Sequence, residues 1–216
     1  MLYSIKKVHL IGIGGIGMSG IAELLKNKEF LVSGSDIADS PNVQRLIDLG
    51  INVSIGHNKE NISDAELVIY SDAIPKDNVE LIEALAKNII VYSRARMISE
   101  IAKLNNSTVA IAGTHGKTTT TSMVGTILKA INLDPTIIVG GVVKSLESNS
   151  FLGRGDTFVV EADEYNKSLL HLSPTIAVIN NIDFEHIECY NDIDDLKDTF
   201  LQFANSVPFY GTVCAC

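Results

Sequence analysis

The chain has 216 residues, 46% of them hydrophobic and 20% charged, with a net charge of −9. No basic cluster exceeds Lys6-Lys7 and the separated Arg94 and Arg96, which argues against a nucleic-acid surface, and no apolar run reaches membrane-spanning length. The N-terminus turns strand-like at once without signal-peptide architecture, so a cytoplasmic protein is expected. Three late cysteines (Cys189, Cys214 and Cys216) give neither a disulfide framework nor a CxxC pair, and the alternation of the last two reads as small buried hydrophobes in a strand.

In chain order, the apolar run 8–11 predicts a buried strand and 15–28 a helix, followed by a strand at 30–33 and a helix at 43–49. Residues 53–55 are weakly strand-like and 67–70 strongly so. A helix at 79–87, a short strand at 89–91 and a helix at 95–102 complete the first series. Strands alternating with helices imply a mostly parallel sheet covered on both faces. The polar stretch 103–107 interrupts the pattern, which places the boundary of a first domain, residues 1–105, ahead of a second, residues 106–216. The second series has strands at 108–112, 136–139, 157–161 and 175–180, with a helix at 117–131. Residues 192–206 read as an amphipathic helix, Ile193, Leu196, Phe200 and Phe203 opposite Asp194, Asp195 and Asp198. Residues 211–216 resemble a strand that has just begun, so a chain that continues further is expected.

The most informative stretch is VAIAGTHGKTTTT at 109–121. An apolar strand runs into a glycine-punctuated turn, Gly113-Thr114-His115-Gly116, that delivers Lys117, Thr118 and Thr119 to the start of a helix. Glycines let backbone N–H groups approach a polyphosphate, Lys117 brings a cation to the terminal phosphates, Thr118 offers a hydroxyl to Mg2+, and the helix dipole adds positive potential. The turn is shorter than the usual GxxxxGK[ST], whose first glycine would fall at Ile111. Earlier, Gly12-Ile13-Gly14-Gly15-Ile16-Gly17 is a GxGxxG between strand and helix, with Asp36 after the next strand, roughly where a dinucleotide site carries its ribose-binding acid. By itself this loop fits a structural turn or a nicotinamide site. Two loops in one chain point instead to two phosphate-bearing ligands, one per domain. The strand 157–161 ends in carboxylates, and Glu161, first after the apolar run, is the candidate Mg2+ ligand against the alternative of a solvated acidic loop. At the end of the strand before 180–186, His186 stands beside Glu185, open between a structural histidine and a metal ligand. Neither a serine or cysteine nucleophile motif nor zinc-ligand spacing is present.

The stretches GIGGIGMSGIAELL, SGSD, SDAIP, SRARMISE, AGTHGKTTTT, EADEYNKSLLHLSP and NNIDFEHIECY, in this order across nearly the whole chain, resemble the N-terminal and part of the central domain of the Mur ligases. The resemblance is nearest to the members that join L-alanine to UDP-N-acetylmuramate. It implies a Rossmann-like domain followed by a P-loop-type α/β domain that is incomplete, with ATP and Mg2+ as cofactors. It also implies an ATP-driven amide synthesis that passes through an acyl phosphate on the lactyl carboxylate, within peptidoglycan precursor synthesis. By the same resemblance Lys117 contacts the β- and γ-phosphates and Thr118 and Glu161 share one Mg2+. His186 ligates a second, with Glu185 standing where an aspartate is usual. The loop 12–17 takes the diphosphate of the UDP-sugar rather than NAD. His57, Ser71 and Arg94 line that sugar-nucleotide site, and His171 faces the sugar-lactyl end. A murein tripeptide recycling ligase and a nicotinamide-dependent oxidoreductase are the alternatives. The 216 residues by themselves are expected to bind the UDP-sugar without ligase turnover, because a third domain completes the family's site.

Overall fold

In the computed structural model, residues 5–143, 148–183 and 189–216 are described, with backbone alone for 140–143 and 148–149. The chain divides into two units, Met1–Met97 and Ile98–Cys216.

The first unit holds five parallel strands, β1 (Lys7–Ile11), β2 (Leu31–Asp36), β3 (Asn52–Ile55), β4 (Leu67–Tyr70) and β5 (Ile90–Ser93), in the order β3-β2-β1-β4-β5. The connections are α1 (Ile16–Asn27), α2 (Pro41–Asp48), a 3-10 turn at Lys59–Ile62 and α3 (Val79–Ala86), and α4 (Arg94–Ala102) follows β5. The strand order reverses beside β1, so the carboxyl ends of β1 and β4 open the crevice where such sheets bind ligands. Ile11, Ile62, Val68, Leu81 and Ala84 form one core cluster under this edge. The helices stop for a shared reason. After α1, α2 and α3 a residue takes left-handed φ (Glu29 65°, Gly50 76°, Asn88 55°), and the apolar residue behind it donates its N–H to the carbonyl five residues back. Gly50 and Asn88 announce this in sequence; Glu29 does not.

The second unit holds β6 (Ser107–Ala112), β7 (Thr136–Val143), β8 (Ser148–Phe151), β9 (Thr157–Glu161), β10 (Ile176–Ile179) and β11 (Thr212–Ala215), ordered β11-β10-β6-β9-β7-β8. All neighbours are parallel except β7 and β8. Two helices, α5 (Lys117–Ala130) and α6 (Ile193–Asn205), and a 3-10 segment at Tyr165–His171 make the connections. Val109, Ile111, Ile137, Val139 and Val159 form the core beneath α5. The helix packs so closely there that a Cβ on Gly125 would lie 2.4 Å from Ile137 Cδ1.

The alternating α/β architecture and parallel sheets follow the expectation. The antiparallel pair β7–β8 does not, because 140–151 carries no strand pattern strong enough to register by itself. β2 runs three residues beyond the predicted 30–33, since pairing with β1 and β3 on both sides makes a strand of Ser-Gly-Ser-Asp. The cysteines are also corrected. Cys214 and Cys216 are exposed rather than buried, because β11 pairs with β10 alone and no described element covers it.

Candidate functional site

The lysine-bearing loop sits at the carboxyl end of β6, the strand between β10 and β9. Its glycines are conformational necessities: Gly113 has φ 130° and Gly116, capping α5, has φ 77°. A Cβ on Gly113 would also lie 3.0 Å from Asn180 Cβ and 3.1 Å from the Asn180 and Asn181 nitrogens. That close approach shows what braces the loop. Thr114 N–H donates to the Asn181 carbonyl at 3.2 Å and His115 N–H to Asn181 Oδ1 at 2.8 Å. Asn180 Nδ2 reaches the His115 carbonyl (3.3 Å) and Thr120 Oγ1 (3.1 Å), while Thr114 Oγ1 and Asp183 exchange two bonds of 3.0 and 2.9 Å. With the loop held from outside, the first-turn N–H groups of Lys117, Thr118 and Thr119 have no hydrogen-bond acceptor among the described residues. They are the donors an anion would meet.

Lys117 Nζ is drawn back over the loop. It donates to the Gly113 carbonyl (2.7 Å), the Thr114 carbonyl (3.3 Å) and both Glu164 oxygens (3.0 and 2.8 Å). Glu164 is buried, its side chain 1% exposed. Glu161 ends β9, in register with Ile111 two residues before the loop, which sets its half-buried carboxylate at the same sheet edge as half-buried Thr118. Among the described residues no three His, Cys, Asp or Glu side chains gather into a metal cage. A hydroxyl and one carboxylate are instead the sparse oxygen donor set that suits Mg2+, which keeps waters and phosphate oxygens as its other ligands. His186 and Glu185 lie outside the described residues. His171 is exposed at the end of the 3-10 segment, where its carbonyl accepts a hydrogen bond from Ser99 Oγ.

In the first unit, the glycine loop spends its early donors on the protein itself. Gly12 and Ile13 N–H donate to the Ser35 carbonyl (2.8 and 3.0 Å), Gly15 N–H to the Gly12 carbonyl (3.2 Å) and Gly14 N–H to Asp36 Oδ2 (2.8 Å). Asp36 thus ties the loop from the end of β2, with its other oxygen on Ala38 N–H. Among the described residues, the N–H groups of Ile16 and Gly17 keep no such acceptor. Arg94 lies against this first turn of α1: a Cβ on Gly17 would sit 2.7 Å from Arg94 Nη1. Ser71 lies on the other side of the loop, its Cβ 3.4 Å from where a Gly12 Cβ would be, and its N–H donates to the Ile11 carbonyl at 3.3 Å. The fold therefore brings Gly12, Ile16, Gly17, Ser71 and Arg94 together at the strand-order reversal.

His57 belongs to a polar cluster behind that edge. Its Nδ1 is 3.1 Å from Ser35 Oγ and 3.4 Å from Glu80 Oε2. Glu80 is fully buried and accepts from Ser35 Oγ (2.5 Å), Asn61 Nδ2 (2.6 Å) and Asn58 N–H (3.1 Å), with His9 Nε2 3.5 Å away. Burial pushes this carboxyl up, but the nearby His9 imidazole and the hydrogen bonds from Ser35, Asn61 and Asn58 outweigh it and hold the pKa at about 2. Sequence reasoning singled out His57 but not the cluster around Glu80, and it read Asn180, Asn181 and Glu164 only as polar strand ends, without the bracing of the loop or the pairing with Lys117. A glutamate in the first turn of an amphipathic helix reads as solvent-facing, and only the tertiary structure turns Glu80 inward.

These features define an α/β protein with two glycine-rich strand–helix turns, one of them carrying a lysine. Residues 7–106 match the Mur ligase family, catalytic domain, and residues 111–215 the Mur ligase middle domain. The chain belongs to the Mur ligase family. It is 51% identical over all 216 residues to the UDP-N-acetylmuramate–L-alanine ligase of Geotalea uraniireducens and 53% identical over 209 residues to that of Agrobacterium fabrum, covering 47% and 44% of those proteins. The chain spans about half the length of the curated relatives it matches. Among solved structures it superposes on the UDP-N-acetylmuramate–alanine ligase of Thermotoga maritima with a TM-score of 0.85 at 32% identity, over 97% of this chain and 48% of that one. The UDP-N-acetylmuramate:L-alanyl-gamma-D-glutamyl-meso-diaminopimelate ligase of Neisseria meningitides gives 0.88 at 29% identity, over 98% and 71%. No helix among the described residues is long and apolar enough to cross a membrane.

Proposed function

We propose that this chain supplies the sugar-nucleotide and ATP sites for the ligation of L-alanine to the lactyl carboxylate of UDP-N-acetylmuramate, a cytoplasmic step of peptidoglycan precursor synthesis. The observation that carries the reading is Lys117 at the mouth of a loop whose first-turn N–H groups have no acceptor among the described residues. A cation and three amide donors on one turn suit a ligand that carries several phosphate charges. Identity near 50% to L-alanine ligases along the whole chain supports that member of the family over the recycling ligase, which the fold alone fits equally well.

Each residue then has a physical task. The N–H groups of Lys117, Thr118 and Thr119 cradle the phosphates, and the Lys117 ammonium takes up charge that spreads over the γ-phosphoryl oxygens during transfer. Thr118 and Glu161 would hold Mg2+, which when bound neutralises phosphate charge; His186 is the candidate for a second ion. Asn180, Asn181 and Asp183 keep the loop in shape, so its donors are aimed before ATP arrives. In the first unit Ile16 and Gly17 N–H with Arg94 receive the diphosphate, Ser71 and His57 flank it, and Asp36 secures the loop. His171 remains our assignment for the sugar-lactyl end. The lactyl carboxylate attacks the γ-phosphorus, ADP leaves, and the L-alanine amine displaces phosphate from the resulting acyl phosphate. The protein supplies no nucleophile.

The test is calorimetric titration of the 216-residue chain with MgATP and, separately, UDP-N-acetylmuramate. Both bind, and Lys117→Ala weakens MgATP by about 10- to 100-fold, the loss of a charge-assisted hydrogen bond, while the sugar nucleotide is unaffected. Binding of NADH in place of the UDP-sugar, or MgATP affinity indifferent to Lys117, overturns the reading.

A further inference from the structure

Glu164 has no place in the reaction just described. It nevertheless pairs with the lysine of the phosphate loop through both of its carboxylate oxygens. Lys117 Nζ has three hydrogens, and four acceptors surround it: the Gly113 and Thr114 carbonyls and both Glu164 oxygens, at 2.7 to 3.3 Å. The ammonium is therefore fully committed within the protein. An incoming phosphate cannot add itself to Lys117; it must take the lysine from a buried carboxylate.

The surroundings show that Glu164 is built into this position. Asn166 and Lys167 both hold left-handed φ (51° and 54°), a conformation that non-glycine residues keep only when neighbours impose it. The neighbours are identifiable. Tyr190 Oη donates to the Glu164 carbonyl at 2.5 Å, Lys167 N–H donates to the same carbonyl at 2.9 Å, and Lys167 Nζ donates to Asp195 Oδ1 at 2.6 Å. Ser168 Oγ and Leu169 N–H both donate to the Asp163 carbonyl, at 2.8 Å each. Burial and the adjacent Glu164 charge push the Tyr190 hydroxyl up to about 12, so it stays a donor. The turn is pinned on both sides, and the pinning aims the Glu164 carboxylate at Lys117.

We propose that Glu164 is a positioning residue that keeps Lys117 parked on its own loop until a polyphosphate displaces it, so that it restrains nucleotide affinity while presetting where the ammonium stands. This rests on the nucleotide reading of the loop given above. A buried negative charge beside a polyphosphate also opposes binding directly, and the two effects separate by experiment, because parking requires Lys117 and repulsion does not.

The experiment is MgATP titration of the 216-residue chain and its Glu164→Gln, Lys117→Ala and doubly substituted forms. Glu164→Gln keeps the shape and removes the charge, and it binds MgATP about tenfold tighter than the unaltered chain, as release of one charge-assisted pair predicts. In the Lys117→Ala background the same substitution changes affinity by less than about twofold, because the residues act as one unit. A purely structural role for Glu164 would show no such dependence on Lys117. If Glu164→Gln does not fold, Tyr190→Phe replaces it: loosening the turn tightens MgATP about threefold, again only with Lys117 present. Unchanged or weaker binding in the single variant, or equal tightening without Lys117, overturns the proposal and leaves the nucleotide site standing. Failure of every form to bind MgATP overturns the proposal and the nucleotide reading together.

Discussion

The two glycine loops look alike in sequence and work differently. Loop 12–17 consumes four of its own N–H groups on Ser35, Gly12 and Asp36, leaving, among the described residues, the Ile16 and Gly17 N–H groups without an acceptor and Arg94 beside them. Loop 113–116 is braced from another strand end by the Asn180 and Asn181 side chains and the Asp183 backbone, and carries its cation within the motif. Both loops are held by a neighbouring strand end; the first has its cation, Arg94, outside the motif, and the second carries its own, Lys117. A strand–glycine–helix turn is therefore a geometry shared by several ligands, and what distinguishes them is where the positive charge comes from.

The sharpest way to break this comparison is acid. Glu80, behind the first loop, has its folded pKa depressed to about 2 from 4.5, so its stabilisation is complete above pH 4.5 and is lost as pH falls toward 2. The displacement amounts to roughly 3 kcal/mol at neutral pH. Urea melts of the first unit should thus weaken steeply between pH 4.5 and 2, and Glu80→Gln should flatten that dependence. A profile unchanged by the substitution would show that Glu80 is not the group responsible. Next in size, Gly113→Ala forces a side chain into φ 130° and against Asn180, and should destabilise the second unit by about 2–3 kcal/mol, read in the same melts.

Arg94→Ala sharpens the contrast in charge supply. It should loosen the UDP-sugar about tenfold, near 1.4 kcal/mol, and leave MgATP alone, the mirror image of Lys117→Ala. Equal loss of both ligands would mean that the loops are not independent. The smallest effect is expected at Asp192, whose carboxylate caps α6 by accepting from Asp194 and Asp195 N–H at 3.0 and 2.8 Å. Asp192→Ala should cost about 1 kcal/mol of stability with no change in either affinity.

Much of the architecture was legible because its signals are local. The apolar strands flanking each loop, the stripe Leu196-Phe200-Phe203 and the glycine turns all reach the structure with small shifts at their ends. α2 starts two residues earlier than its hydrophobic pattern indicates because Pro41 occupies its first turn and Ser40 Oγ accepts from Val43 N–H at 3.3 Å, a start signal the periodicity reading passed over. The candidate sites were legible to the extent that motif residues carry them: Lys117, Thr118 and Glu161 sit at one sheet edge, and Gly12, Gly17, Ser71 and Arg94 meet at another. Asp36 was found, but with its carboxylate on Gly14 N–H rather than turned out for a ribose.

The sequence by itself determined the alternation of strand and helix, the placing of two glycine turns at strand ends and the lysine in the second. These depend on residue order within a dozen positions, where periodicity, glycine and charge act directly. Tertiary structure alone decided that Glu164 takes hold of Lys117, that Asn180 and Asn181 brace a loop some 65 residues away, and that Glu80 is buried among His9, Ser35, His57 and Asn61. The reason is that parallel strands gather their carboxyl ends along one edge whatever their separation in the chain. Polar groups brought there must pair with one another once water is excluded, and no local pattern records which partners they find.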